Sequence, residues 1–324
     1  MRTRPIHSSS DPVPAALGAQ PVGGHRQRVS GHTTVLLHEA IEFLDIQPDD
    51  VVVDATLGGA GHAREIVSHL GAHGTFIGFD LDGDAIARAK DALADASCKV
   101  ELIEGNFRTI ATALSSRGIP FVHKVLFDLG WSGFQLADGR GFSFNSTEAL
   151  TMTYSKTPNE RTVTAAIIVN TWSESSIADI IFGWGEDRFS RRIARAIVER
   201  RQTKPFETAD DLAEVIKRAV PRGKGRIHPA TQTFQALRIA VNDELGSLTE
   251  GLAGAWNALT PGGRIAVISF HSIEDRLVKR AFAGHEKEAT GRKLSKKPIA
   301  PTAQEIQENP RSRSAKLRVI EKNI

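Results

Sequence analysis

The chain has 324 residues, 40% hydrophobic and 24% charged, with a net charge of +3 and one cysteine. Those values suit a soluble globular protein with one large domain or two smaller ones. No run of eighteen apolar residues occurs, which excludes a membrane-spanning helix, and the lone Cys98 excludes a disulfide framework or a multi-cysteine metal site.

The first thirty residues are rich in Ser, Pro and Gly, with four arginines and one acid, and read as a disordered tail. An Arg- and Ser-rich, acid-poor start also fits a transit peptide, but no amphipathic helical pattern supports that reading. Four strand–helix units follow. The strands are 51-VVVDAT-56, 75-TFIGFD-80, 99-KVELIEG-105 and 124-KVLFDLG-130. The helices between them run from about Gly61 to Leu70, Asp84 to Leu93 and Thr109 to Arg117. Short, β-branched, nearly continuous apolar runs alternating with helices predict a mostly parallel, doubly wound sheet.

The alternation then stops, and from about Ala137 to Val241 only helical patterns occur. One covers 186–201, where Phe189, Ile193, Ala196 and Ile197 form an apolar stripe. A second covers 208–220, with Thr208 as N-cap, Asp211 three residues on and Pro221 ending it. A third lies over 231–245. Strands resume at 263–271 and 315–322. The expected organisation is a tail (1–30), a Rossmann-like α/β domain (31–136 and 242–324) and an inserted helical domain (137–241).

Charge is uneven. Residues 188–226 hold twelve Lys/Arg against five Asp/Glu, and residues 276–324 hold thirteen against five. Such clusters suit a polyanion partner, and equally suit solvated helix faces and a basic tail.

The first strand runs into Gly58, Gly59 and Gly61 and then into a helix, an arrangement that lets backbone and a helix N-terminus approach a nucleotide. The G-x-G-x-x-G fingerprint fits in neither register, and no Gly-Lys-Ser/Thr follows. Dinucleotide and triphosphate ligands are therefore disfavoured, leaving S-adenosylmethionine as the common ligand of this architecture. Asp80, ending the second strand, suits its ribose hydroxyls. Asn106 and Phe107, after the third, suit its adenine. Asp128, in 128-DLGWSG-133 after the fourth, faces the reactive end. Methyl transfer is an in-line displacement that needs alignment of the nucleophile. A carboxylate there could localise the lone pair of a base amine, with Leu129 or Gly130 offering a carbonyl; it could equally anchor a loop or the cofactor's ammonium. Trp131, Phe134, Phe142 and Phe144 could stack an extruded base or pack the insert. Ser269 and His271, after the fifth strand, would lie near the same cleft, His271 as phosphate ligand, proton shuttle or loop hydrogen-bonder. No cluster has metal spacing, so no catalytic metal is expected.

These motifs resemble the bacterial small-subunit rRNA cytosine-N(4)-methyltransferase family, known as RsmH or MraW. The resemblance runs from about Gly31 to Lys322 and includes 32-HTTVLLHEA-40, 54-DATLGGAGHA-63, 139-GRGFSF-144, 185-GEDRFSRRIARAIV-198, 228-HPATQTFQALRI-239, 262-GGRIAVISFHSIEDR-276 and 309-NPRSRSAKLR-318. It implies a class I S-adenosylmethionine-dependent methyltransferase fold with a helical insert, acting in the cytoplasm on 16S rRNA of the small ribosomal subunit, with no membrane partner and a homodimer left open. It places cofactor contacts on Ala60, Gly61, His62, Asp80, Phe107, Asp128 and Gln135; His62 and Gln135 rest on resemblance alone. Asp128 is the candidate catalytic residue. Trp131, His271, Arg191, Arg192 and Arg195 are the candidate substrate contacts. The family usually reads D-L-G-V-S-S and L-D-M-R-M-D where this chain has 128-DLGWSG-133 and 150-LTMTYS-155. Those departures favour, as alternatives, an RNA-binding protein with impaired chemistry or a methyltransferase with another target.

Overall fold

The computed structural model describes residues 33–130, 139–144, 146–155, 162–221 and 228–324. The N-terminal tail, Trp131, Phe134 and Gln135 lie outside the described residues. The first half of the chain is α1 (Leu37–Leu44), β1 (Val51–Asp54), α2 (Gly61–His69), β2 (Thr75–Asp80), α3 (Gly83–Ala92), β3 (Lys99–Glu104), α4 (Ile110–Ser116) and β4 (Val122–Asp128). Helices α5 (Ala165–Thr171), α6 (Glu174–Gly185), α7 (Ser190–Arg201), α8 (Ala209–Ala219) and α9 (Thr231–Asn242) follow. The chain then returns through α10 (Glu244–Ala258), β5 (Leu259–Ser269), α11 (Ser272–Lys287), β6 (Gly291–Lys293), α12 (Ala303–Glu308) and β7 (Lys316–Lys322).

The strands form one seven-stranded sheet in the order β3-β2-β1-β4-β5-β7-β6. The five from β3 to β5 are parallel, and β7 runs antiparallel to β5 and to β6. Alternation along each strand feeds two cores. Val52, Leu126 and Ala266 face one side, with Ala40, Leu44 and Ile66 of α1 and α2. Val53, Phe127 and Val267 face the other, with Leu114 of α4, Leu252 of α10 and Phe282 of α11. Both faces are covered, as a near-continuous apolar parallel sheet requires. The strand order reverses between β1 and β4, so a crevice opens beyond their carboxyl ends.

Helices α5 to α9 have an apolar core of their own, built on Ile168, Ile181, Ile193, Ile197, Leu212 and Leu237. Three expectations need correcting here. The helix expected from Glu186 starts at Ser190, because Glu186 (φ 53°) is left-handed and terminates α6. The helix expected over 231–245 breaks at Asp243 (φ 46°), and α10 begins immediately after. Thr208 holds the N-cap position of α8 without a side-chain capping bond; its backbone instead bridges Ala149, a strand-like contact within a segment expected to be wholly helical.

Candidate active site

β1 ends at Asp54, and the chain turns through Gly58 (φ 49°) and Ala60 (φ 58°) into α2. Ala60 is buried, and its carbonyl accepts the Arg64 amide at 3.1 Å. Gly61 is a close-approach position: a Cβ there would stand 1.8 Å from Thr34 Oγ1. The segment preceding α1 therefore lies directly on the turn. β2 delivers Asp80, whose Oδ2 accepts from the Gly58 amide at 2.8 Å and Oδ1 from the Asp82 amide at 2.9 Å. These amides aim the carboxylate and leave lone pairs free on both oxygens. After β3, Asn106 Oδ1 accepts from the Arg108 amide at 2.9 Å and its Nδ2 donates to Ser247 Oγ at 3.0 Å. Phe107 packs edge-on against Phe127 at 5.5 Å, and a Cβ on Gly251 would lie 2.6 Å from its ring.

β4 delivers Asp128, whose amide donates to Thr56 Oγ1 at 2.7 Å. Its Oδ1 is buried with no hydrogen-bond partner among the described residues, and its Oδ2 lies 3.6 Å from Nδ1 of the buried His62. Burial pushes this carboxyl up to about 8, helped by the negative charge of Asp54 and opposed by the Gly130 amide. Asp54, which the sequence does not single out, is buried beside it. Its Oδ1 accepts from the Thr56 amide at 3.0 Å, while Oδ2 has no partner among the described residues. Burial pushes Asp54 up to about 7. Asp80 is also raised by burial, against the Asp82 and Gly58 amides.

Two arms of a cleft meet at Thr56, Gly58, Asp128 and Gly130. The first arm runs past Asp80, Asn106 and Phe107 and continues beyond Asp128 to Tyr154, Glu244 and Glu274. Its described lining holds four carboxylates and no cation. Tyr154 is held at three points. Its amide donates to Asn242 Oδ1 at 2.8 Å, its hydroxyl to Glu244 Oε1 at 2.8 Å, and its ring stacks on Phe142 at 5.7 Å. Arg238 grips Glu244 with a two-pronged fork at 2.7 and 2.9 Å. The second arm is lined by Thr34, the glycine turn, His62, Phe270, Arg311 and Arg313.

The structure thus brings Gly61, His62, Asp80, Phe107 and Asp128 to one cleft. Ala60, Phe142, Phe144, Arg191, Arg192, Arg195, Ser269 and His271 are not among the residues that line it. His271 caps α11, its Nδ1 accepting from the Glu274 amide at 3.4 Å and its Nε2 lying 3.0 Å from Glu274 Oε1, which fits the loop hydrogen-bonder among its three readings. Ser269 is buried and bonds to the Lys316 carbonyl. Phe142 and Phe144 pack within the helical segment, Phe144 stacked on His228 at 4.3 Å. Arg191, Arg192 and Arg195 stand on the outer face of α7, with Arg195 3.7 Å from Glu174. Glu244, His271 and Glu274 bring ligand atoms within 4.8 Å of one another, a cluster that sequence spacing does not reveal. Each is already engaged, Glu244 by Arg238 and the other two mutually.

Sheet order, glycine turn and an acidic crevice at the reversal of strand order define a class I methyltransferase architecture. The chain belongs to the MraW methylase family, whose match spans residues 29–323. It is 44% identical over 310 residues to "Ribosomal RNA small subunit methyltransferase H" of Clostridioides difficile, covering 90% of this chain and 98% of that protein. Its likeness to the protein of the same name from Deinococcus deserti is 48% over 294 residues, covering 90% and 94%. With that of a Paenibacillus species it is 44% over 315 residues, covering 90% and 99%.

Proposed function

We propose that this protein transfers the methyl group of S-adenosylmethionine to the exocyclic N4 amine of a cytosine in the decoding region of 16S rRNA, in the small ribosomal subunit of the cytoplasm. The observation that carries the reading is Asp128 at the junction of the two arms, in the same acidic arm as Asp80. When bound, the cofactor supplies a methyl group activated on a sulfonium. Asp80, aimed by two amides, fits a pair of ribose hydroxyls; Phe107 and Asn106 fit a flat base. Asp128 Oδ1, which has no hydrogen-bond partner among the described residues and stands in a described lining without cations, fits a positively charged ligand. Asp128 in its ionised form then accepts a hydrogen bond from the cytosine amine and concentrates its lone pair on nitrogen. The rest is alignment, which fixed hydrogen bonds such as Thr56 Oγ1 to the Asp128 amide supply.

In this reading Ala60, Gly61 and His62 also hold the cofactor, with Gln135 and Trp131 assigned from the sequence only. The helical segment between β4 and β5 recognises the substrate, with Arg191, Arg192 and Arg195 as phosphate contacts. Incubation of the protein with small subunits and labelled cofactor, followed by mass spectrometry of the RNA, tests it. A methyl group on a cytosine N4, abolished by Asp128→Ala, is expected.

The second reading, RNA binding without transfer, draws on 150-LTMTYS-155. The Thr151 and Thr153 hydroxyls donate to the Arg140 and Ser155 carbonyls, while Tyr154 faces the acidic arm. RNA binding with no transfer by wild type would establish that alternative.

A further inference from the structure

The motif 309-NPRSRSAKLR-318 has no part in the chemistry above, yet its first half forms a wall of the second arm. A short 3-10 turn, Pro310–Ser314, carries Arg311 and Arg313. Both are exposed, both line the arm, and neither has an ion-pair partner among the described residues. The arginines and lysines that follow are differently placed: Lys316 and Arg318 are both taken by Asp275, at 3.2 and 2.7 Å. The frame of the turn is fixed from below. Asn309 Nδ2 donates to the Thr33 carbonyl at 3.0 Å, Ser312 is buried, and the Leu36 amide donates to Glu305 Oε1 of α12 at 2.8 Å. The two guanidinium groups therefore stand on a fixed support, opposite the glycine turn.

Charge divides the cleft. Among the described residues, the first arm is lined by four carboxylates and no cation; the second carries Arg311 and Arg313, with Asp128 at the junction. A positively charged cofactor suits the first arm. A strand whose target base reaches Asp128 must pass its own phosphates along the mouth beside it, where the second arm lies.

We propose that Arg311 and Arg313 form a phosphate grip for the RNA strand next to the target nucleotide, holding the backbone while the base enters the acidic arm. The inference rests on the proposed function for the identity of the polyanion. An anion in this arm could also be the carboxylate of the cofactor, so the test separates the two sources.

Binding of a short single-stranded RNA containing the target cytosine is measured over a salt series for wild type, R311A/R313A and R311K/R313K, alongside calorimetry with S-adenosylmethionine. Every phosphate that the protein no longer neutralises flattens the slope of log K against log salt by about 0.7 for single strands. The alanine pair is expected to flatten it by roughly 1.4, with the lysine pair restoring most of it, because lysine keeps the charge. Cofactor affinity stays within twofold. A weakened cofactor Kd with an unchanged RNA slope would overturn the proposal in favour of a carboxylate site. Unchanged values for both would leave the turn a purely structural wall and overturn it equally. Absence of methyl transfer by wild type, with the slope change intact, sinks the proposed function and leaves the grip standing.

Discussion

Gly61 has no room for a side chain, and the obstacle is the Thr34 hydroxyl. Alanine is a better helix former than glycine by about 1 kcal/mol, so a stability loss in Gly61→Ala isolates the clash. A cost of about 1–3 kcal/mol is expected, as for other overpacked sites. Thr34→Ala, read with Gly61→Ala in a double-mutant cycle by denaturant unfolding, should recover part of it; strict additivity would mean the two residues do not meet. Asp80 belongs to the same scale. Two amides aim its carboxylate, and in the proposed reading its remaining lone pairs meet the ribose hydroxyls. Asp80→Ala should weaken S-adenosylmethionine binding by roughly 10–100-fold, the worth of about 1.5–3 kcal/mol for hydrogen bonds to a charged group. Calorimetry reads this directly, and an unchanged Kd would remove Asp80 from the site. Gly61, Asp80, Phe107 and Asp128 were legible in the sequence because each follows or ends a strand and each has the chemistry its place demands. Asp54 was not, since the first strand was expected to run on to Thr56, which put Asp54 inside the strand and not at its end. Glu244 and Tyr154 were not, since they reach the cleft only through packing of the helical segment.

At the scale of elements, Asn242 at the end of α9 holds the chain over 152–154 in place. Its Nδ2 donates to the Met152 carbonyl at 2.8 Å and its Oδ1 accepts the Tyr154 amide at 2.8 Å. Met152 itself is buried in a left-handed conformation (φ 56°), so this stretch depends on outside support. Asn242→Ala leaves two backbone groups unpartnered and should cost about 2–4 kcal/mol in thermal or denaturant unfolding. Asn242→Asp, which keeps only the acceptor, should fall between. The sheet was readable strand by strand, because apolar β-branched runs and the following glycines mark their own ends. The helical half was less so. Glu186 and Asp243 break helices in left-handed conformations that residues other than glycine seldom adopt, and the pattern on either side continues as one helix. What sustains the second break is remote: Asp243 pairs with Arg108 at 2.7 Å, across 135 residues. α1, α10 and α11 are amphipathic only with respect to a sheet whose faces the one-dimensional pattern does not display.

For the whole molecule, the acidic crevice links folding, cofactor and pH. Asp54 and Asp128 titrate at 3.8 when unfolded, and at about 7 and about 8 when folded. Because the folded state holds these protons more tightly, their contribution to stability is complete below the unfolded value. It is lost as pH rises through the folded values. Each group can contribute a slope of up to about 1.4 kcal/mol per pH unit in that interval. Other groups tilt the opposite way: burial lowers Lys124 and His285, which favours the folded state as pH rises. Glu186, Asp275 and Glu321, all lowered, protect it only above the carboxylate range. The difference between wild type and Asp54→Asn/Asp128→Asn therefore isolates the pair. Melting temperatures of the cofactor-free proteins between pH 6 and 8.5 should fall more steeply in wild type than in the double variant. Adding S-adenosylmethionine should offset the fall in wild type, since a cation beside Asp128 favours its ionised form, and ligand affinity should rise with pH over the same range. Parallel melting profiles with a pH-independent Kd would mean that both carboxyls are ionised throughout, and that the crevice is not tuned to receive positive charge.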